Sequence, residues 1–488
     1  EGYVEGTYFD AWAYYLAAEK EINKKHSIGL MGFGAPIEQG RQGMAVQEAM
    51  DLAGTNYYNP DWGYQNGEKR SSRVSNFHKP TAILTHYFDI NETSKLTTSI
   101  YVQGGRGGQT RLNWYEAADP RPAYYRYLPS FLEDGSPEQL ALIERWENDP
   151  SIRQINWDDF YHANRKNLFT VENVDGIPGN NYTGARSKYM LEEMRYDHIQ
   201  TGANVLYEKE ISPKTTFNAG YNSSIYKGNN YRQVKDLLGG EYWLDIDQFA
   251  ERDLIDPELA VNNIDNPNAL LKEGDRFGFD YINNINRQDL FAQIEHKFGK
   301  FEVYGAVNYV HTQFWRTSNM QNARFMENSF GDSEKQNFHN GGIKGGATYK
   351  ISGRQYVSAN GMLASRAPSM RNAYLSPRTR HDIVPNLESE EIFSGDINYH
   401  LRFPKIKLRA SLYYTEINNQ TWNRSFYHDE YRNFVNYAMT GVDNVYTGAE
   451  LGLEWNITST ISSHLVVAHG QSVYNSRPSA YMTRDNNS

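Results

Sequence analysis

The chain has 488 residues, a formal charge of −10, 14% aromatic residues with 37 Tyr, and a mean hydropathy of −0.74. The absence of cysteine excludes disulfides and thiolate metal sites, and the acidic balance argues against nucleic acid as a partner. No window approaches the ~18 consecutive apolar residues of a membrane-spanning helix, which excludes helical membrane proteins but not a membrane barrel, whose strands are only half apolar.

Along the chain, strand-like runs come in pairs joined by very short polar turns. Runs 8–22 and 26–33 flank Asn23-Lys24-Lys25, and runs 82–90 and 96–104 flank NETSK. Runs 203–211 and 215–223 flank SPK, and runs 290–298 and 301–310 flank Gly299-Lys300. Runs 345–351 and 356–363 flank SGRQ, and runs 395–403 and 406–417 flank Pro404-Lys405. Runs 447–457 and 461–470 flank TST. Most have the ~9–11 residues of a tilted strand crossing a bilayer.

The alternation is that of strands with one apolar face. Ile406, Leu408, Ala410, Leu412 and Tyr414 oppose Lys407, Arg409, Ser411, Tyr413 and Thr415. Thr447, Ala449, Leu451, Leu453, Trp455 and Ile457 oppose Glu450, Gly452, Glu454 and Asn456. In the first pair, Tyr14, Tyr15 and Leu16 break the pattern. Long polar connections at 35–79, 105–190, 232–284, 319–335, 371–389 and 418–443 separate the pairs. Short turns at one end and long loops at the other are the asymmetry of outer-membrane barrels. Phe217, Phe298, Phe301, Tyr349, Phe403 and Trp455 cluster beside the short turns and are expected to form an interfacial girdle. The expected fold is therefore an all-β transmembrane antiparallel β-barrel, with its apolar face on lipid and Lys407 and Arg409 in the lumen. The pattern supplies about 14 strands.

Motifs for catalysis are missing: there is no HExxH, GxSxG, Walker loop or dinucleotide fingerprint. No enzyme, catalytic residue, metal site or cofactor is expected. The QGGRGG stretch from Gln103 to Gly108 lacks the Lys-Ser/Thr of a phosphate loop and is read at a strand end. His78, His381-Asp382 and His428-Asp429 are read as ordinary loop histidines. The acidic 232–284 connection lacks EF-hand spacing and is read as a solvated outer loop.

Connection 105–190 concentrates aromatic residues: Trp114, Tyr115, Tyr124, Tyr125, Tyr127 and Phe131, interleaved with Pro120, Pro122 and Pro129. Such faces stack on sugars or ring systems, and proline lowers the entropic cost of holding a binding shape. The competing reading is that the rings pack the loop against itself. Trp114, Tyr115, Tyr124, Tyr125 and Tyr127 are the candidate substrate contacts. Within the same loop, Ser136 is expected to cap a helix starting at Pro137, with Leu140, Ile143 and Trp146 on one face.

Four stretches carry a resemblance. GLMGFGAPIEQGRQ (29–42), NYYNPDWGYQNGEKRSSRV (56–74) and DPRPAYYRYLPSF (119–131) resemble segments of TonB-dependent outer-membrane receptors of the Bacteroidetes type. ASRAPSMRNAYLSP (364–377), followed by VPNLESEEIFSGDINY (384–399), resembles the wider family's barrel signature through Arg366, Ala367, Pro368, Asn386, Leu387 and Glu390. The resemblance implies a barrel of about 22 strands filled by an N-terminal plug. Residues 1–488 are then expected to be part of that barrel, a fragment whose plug and closing C-terminal strands lie elsewhere. It implies a bacterial outer-membrane protein that actively imports a scarce nutrient: a metal chelate, cobalamin, oligosaccharide or peptide. The implied partners are TonB, reached through the N-terminal region, outer-membrane lipid and the transported ligand. A surface lipoprotein, as in the glycan-importing branch of the family, is compatible but specified by no residue here. A passive outer-membrane porin and a soluble β-rich carbohydrate-binding protein are the alternatives.

Overall fold

The computed structural model describes residues 2–254 and 256–484. Its main feature is a 19-stranded antiparallel sheet, 14 strands of which form the seven expected hairpins. In chain order these are β1 (Tyr14–Asn23) and β2 (His26–Gly34), β3 (Thr81–Asn91) and β4 (Ser94–Trp114), and β5 (Tyr189–Ser212) and β6 (Thr215–Asp236). They continue with β7 (Arg276–Phe298) and β8 (Phe301–Ser318), and β9 (Gln336–Ser352) and β10 (Gln355–Arg366). The last are β11 (Glu390–Arg402) and β12 (Ile406–His428), and β13 (Asn433–Asn456) and β14 (Ser462–Tyr474). Each strand pairs with its chain neighbours from β1 to β14. Among the described residues, β1 pairs only with β2 and β14 only with β13, so the sheet has two open edges.

Register places the apolar positions on one face. Phe298 lies opposite Phe301, which lies opposite Tyr349, and the same row continues through Val357, Tyr399, Ala410 and Leu451. Phe217 faces Ile294 in this set, and Trp455 shares the face of Leu451. Phe298, Phe301, Tyr349 and Trp455 are all exposed, as are Leu290, Val307, Ile343, Leu363, Ile397 and Leu412. The opposite face carries Lys407 paired with Glu454 at 2.9 Å, and buried Ser411 donating to Asn398 at 2.7 Å. Polar groups on the inner face and large apolar groups on the outer face are the arrangement of a barrel in lipid.

Several strands are far longer than a bilayer requires. β5 and β13 have 24 residues each and β7 and β12 have 23, against ~9–11 for a crossing. The extra length lies away from the short turns. It corrects the loop boundaries expected from polarity: most of 418–443 is paired strand, leaving 429–432 as the turn. Connections 105–190 and 232–284 shrink to 115–188 and 237–275. Polar alternation outside lipid has no apolar phase to reveal it, so these extensions read as loops in the sequence. The Gln103–Gly108 run accordingly lies inside β4 rather than at its end. A Cβ at Gly105 would lie 2.0 Å from the His78 carbonyl, and one at Gly108 would lie 2.4 Å from Glu193 Oε1. These glycines let the backbone and an ion pair pass close by. The first run also divides, into Tyr8–Ala11 and β1, and the short piece pairs with Ile37–Gly40.

The buried apolar clusters sit at the loop end. One joins Leu112 and Leu191 of the strand extensions to Ile155, Trp157, Phe160 and Leu238. Another joins Ala49 of α1 (Gln47–Leu52) to Tyr58, Leu128 and Trp146. Trp146 belongs to α2 (Pro137–Asn148), capped as expected by Ser136, whose Oγ accepts from the Gln139 amide at 3.1 Å. The buried stripe differs from the expected one: Leu142 and Trp146 pack inward and Leu140 is exposed. Gln139 faces inward too, donating to the Pro129 carbonyl at 3.2 Å.

One buried side chain ties this loop to the barrel. Asn164 of α3 (Trp157–Lys166) is fully buried. Its amide nitrogen donates to the carbonyls of Tyr189, Leu237 and Leu238 at 2.8–3.0 Å. Its oxygen accepts from the Lys188 and Tyr189 amides at 2.8 and 3.0 Å. Replacing it with Leu strands these backbone groups in an apolar site, at about 1–3 kcal/mol each. In Asn164→Leu the Lys188 and Tyr189 amides should exchange with deuterium at least ten-fold faster, while β5 amides near Ser212 stay unchanged; unaltered exchange at Lys188 and Tyr189 would contradict the role assigned to Asn164.

Candidate ligand-binding mouth

The five aromatic candidates separate at the end of β4. Trp114 and Tyr115 are sequence neighbours at a strand end and point to opposite sides. Tyr115 turns into a core with Met190, Val234, Leu237, Trp243 and Phe277 and is buried. Its hydroxyl donates to Glu251 of α4 (Gln248–Asp253) at 2.7 Å, and the Arg186 guanidinium lies 4.9 Å from its ring. Burial, then the Glu251 carboxylate, pushes its phenol well above the ordinary range. This geometry gives Tyr115 a positioning task, holding α4 against the strand ends.

The other four come together. Trp114 is half-buried, and Arg121 bridges it to Tyr124, its guanidinium 5.4 Å from the first ring and 5.8 Å from the second. Tyr124 packs edge-on against Tyr125 at 4.7 Å and Tyr127 at 5.4 Å, and Tyr125 against Phe131 at 5.8 Å. Tyr125 and Tyr127 are exposed. Arg121 is held by both oxygens of Asp119 at 2.9 and 2.5 Å, and Tyr127 donates to the Asp119 carbonyl at 3.0 Å. Arg126 donates to the Tyr125 hydroxyl at 2.9 Å and, with a bond from Tyr124, lowers that phenol from its ordinary value. The result is an aromatic patch with two guanidiniums, fixed from below and open above. It can stack on a ring or sugar face and donate charged hydrogen bonds to it.

Neighbouring loops lock to one another around the mouth. Arg252 of α4 donates to the Arg432 carbonyl at 2.8 Å, Asn433 to Asp253 at 3.0 Å, and Phe249 meets Phe434 at 5.6 Å. Arg324 pairs with Asp247 at 2.8 Å, which also caps α4. Acidic residues of this connection thus work as caps and partners. Asp245 is half-buried, accepting from the Gly278 amide and Asn262 at 2.9 and 2.8 Å, and desolvation pushes its carboxyl up. On the far side, Arg366 donates to Glu390 at 2.9 Å across β10 and β11, joining two residues of the quoted barrel signature. His78 meets the Tyr14 hydroxyl at 3.1 Å.

Sequence reasoning missed the inner wall beneath the mouth. There Arg111, Arg232 and Arg316 gather from β4, β6 and β8, with Arg378 from the 367–389 connection. The available signal was parity: Arg316 and Arg232 fall on the non-lipid phase of their strands.

No family model matches the sequence, and no curated protein matches it. Solved structures do. The copper transporter OprC is similar with a TM-score of 0.58 and 9% identity, over 96% of this chain and 53% of that one. The ferric citrate transporter FecA gives a TM-score of 0.58 and 10% identity, over 96% and 52%. The ferric yersiniabactin uptake receptor FyuA from Yersinia pestis gives 0.52 and 8%, over 96% and 52%. The fold is that of the TonB-dependent outer-membrane receptor barrels. The chain spans about half the length of each of these receptors. Within this receptor-barrel fold, the patch and the arginines lie at the end opposite the short turns.

His381, in the 367–389 connection, supplies a pH test. Its Nδ1 accepts from Arg316 at 2.9 Å, so the proton sits on Nε2, which donates to the Phe330 carbonyl at 3.2 Å. Burial and the Arg316 charge hold the imidazole below its ordinary range, outweighing Asp332 and Asp382. A depressed folded-state value means that stability is intact above the unfolded value of about 6.5 and declines as pH falls below it. Opening of this loop, read from hydrogen exchange at Leu375 and Val384, should therefore become easier from pH 7.5 to pH 5. The dependence should flatten in His381→Gln; an equal slope in both proteins would contradict the assignment.

Proposed function

We propose that this chain is the barrel portion of a bacterial outer-membrane importer that takes up a scarce nutrient with energy delivered through TonB. The observation that carries the reading is the pairing of a lipid-facing sheet with a tightly interlocked set of extracellular loops. A passive pore needs an open mouth, whereas here the loops are folded, cored and tied to each other. Similarity to copper and ferric-chelate transporters in fold supports the same reading.

In this account the open edges at β1 and β14 are continued by further strands of the same barrel. A plug domain fills the lumen, and TonB acts on that plug. Ligand first meets the rim, where Trp114, Tyr124, Tyr125 and Tyr127 offer ring faces and Arg121 and Arg126 offer donors. Tyr115 holds the loop beneath them. The barrel itself performs no covalent chemistry.

The test uses the full-length protein extracted gently from native outer membranes, with mass spectrometry of what co-purifies. A small nutrient ligand retained at near one-to-one stoichiometry is expected. Combined Ala substitution of Trp114, Tyr124, Tyr125 and Tyr127 should lower retention at least ten-fold, with the protein still folded in the membrane. Undiminished retention would remove the patch from the binding site, and recovery of the protein only in the soluble fraction would overturn the import reading.

A further inference from the structure

Beneath the mouth, positive charge on the inner wall outnumbers the negative charge around it. Arg316 is 1% exposed. All its bonds go to neutral acceptors: the Pro377 carbonyl at 2.6 Å, the Ser329 carbonyl at 3.3 Å, Ser318 at 3.2 Å and His381 at 2.9 Å. Its guanidinium lies 5.1 Å from the Tyr281 ring. Next to Tyr281, at a ring distance of 5.9 Å, is Phe279. Two further guanidiniums converge on Phe279, Arg232 and Arg378, each 5.2 Å from its centroid. Phe279 is placed there by an irregularity in the β6–β7 register, where Gly278 takes a left-handed φ of +71° and Arg232 pairs with Phe277. The bulge inserts an extra aromatic residue into the wall and gathers the arginines around it.

The local carboxylates are few. Glu192 is fully buried and serves Arg111, Asn113 at 2.7 Å and Arg232 at 3.5 Å. The Arg232 Nε is buried, and this 3.5 Å ion pair is too long to give it a hydrogen bond. Asp245 is the second carboxylate within electrostatic range of Arg232. Arg371 is also in electrostatic range of Tyr281. Among the described residues, neither Arg371 nor Arg378 has a carboxylate partner, and both are exposed. Five guanidiniums thus face two carboxylates, Glu192 and Asp245, in a site walled by Phe279 and Tyr281.

Concentrated charge of one sign in a concave, low-dielectric wall attracts the opposite sign. Guanidinium forks match the planar oxygens of carboxylate and phosphate, and stacking on aromatic rings holds them in place. We propose that the inner wall around Phe279 is an oxyanion site and that the imported ligand carries carboxylate or phosphate groups. This rests on the import reading above and gives the ligand its charge class. The rim aromatics meet the body of the ligand, and the arginines draw its anionic part into the lumen.

The experiment uses the full-length protein in detergent at low salt, titrated calorimetrically with two probes: tricarballylate, a metal-free tricarboxylate, and inorganic pyrophosphate. Trehalose serves as a neutral control. Saturable one-to-one binding of at least one anion is expected, weakening with added salt, with no binding of trehalose. The preferred probe distinguishes a carboxylate ligand from a phosphate one. Arg371→Gln and Arg378→Gln together alter only exposed side chains, and should weaken the anion at least ten-fold with unchanged thermal unfolding. Absence of saturable anion binding would overturn the proposal, since the charge would then be neutralised by other parts of the protein. Binding untouched by the double substitution would also overturn it, as an adventitious ion only. A neutral ligand co-purifying with the protein from native membranes would sink the oxyanion site while leaving the import reading standing.

Discussion

Every backbone amide and carbonyl that enters hydrocarbon must be paired inside the protein, and the rest of this structure depends on that requirement. It imposes strands on a chain of low hydropathy and makes hairpins with minimal turns the economical unit. It also reverses the usual placement of apolar residues. Leu290, Val307, Ile343, Leu363 and Leu412 lie exposed on the sheet's outer face, the face that a membrane barrel turns to lipid. The conventional cores, with Trp146, Trp157 and Trp243 at their centres, stand among the loops at the end opposite the short turns. Thus a water-soluble style of packing crowns a wall built for oil.

That division organises the functional end. Because the strand extensions rise well beyond the bilayer, they offer two surfaces for loops to pack on. Leu112 and Leu191 receive α3 on one side, while Met190, Val234 and Phe277 receive the 237–275 connection on the other. Asn164 joins the first packing to the sheet through five backbone bonds, and Tyr115 joins the second through Glu251. With both sides fixed, the exposed aromatic patch is held in one arrangement, which under the proposed function would lower the entropic cost of ligand capture.

The hairpins were legible in the sequence because two independent signals coincide in all but the first: period-two alternation and a two- to five-residue polar turn. Gly299-Lys300 between β7 and β8 and the 404–405 turn between β11 and β12 show both. The strand extensions were not legible, since in Asn433–Val442 or Leu191–Asp197 the buried apolar residues, such as Val435 and Leu191, are mixed with polar ones in no sustained alternation. The loop folds were legible only in pieces, such as the Ser136 cap, because their cores draw on residues distant in sequence, as Tyr58 and Trp146 do. Of the aromatic candidates, Trp114, Tyr124, Tyr125 and Tyr127 are brought together, and Tyr115 is separated by the strand parity that its position already implied. Parity put Arg232 and Arg316 on the inner face, but the arginine wall was not legible as a cluster because its members come from four separate elements and are assembled by a register irregularity at Gly278.

The most direct test of the account is whether the apolar face of β12 touches lipid. The chain has no cysteine, so single cysteines can be placed at each position from Ile406 to Tyr414 in the full-length protein and spin-labelled in membranes. Collision with oxygen, which concentrates in hydrocarbon, should peak at Leu408, Ala410 and Leu412 and fall at Lys407, Arg409 and Ser411. Uniform oxygen accessibility, or maxima at the charged positions, would contradict the lipid-facing barrel on which the functional reading stands.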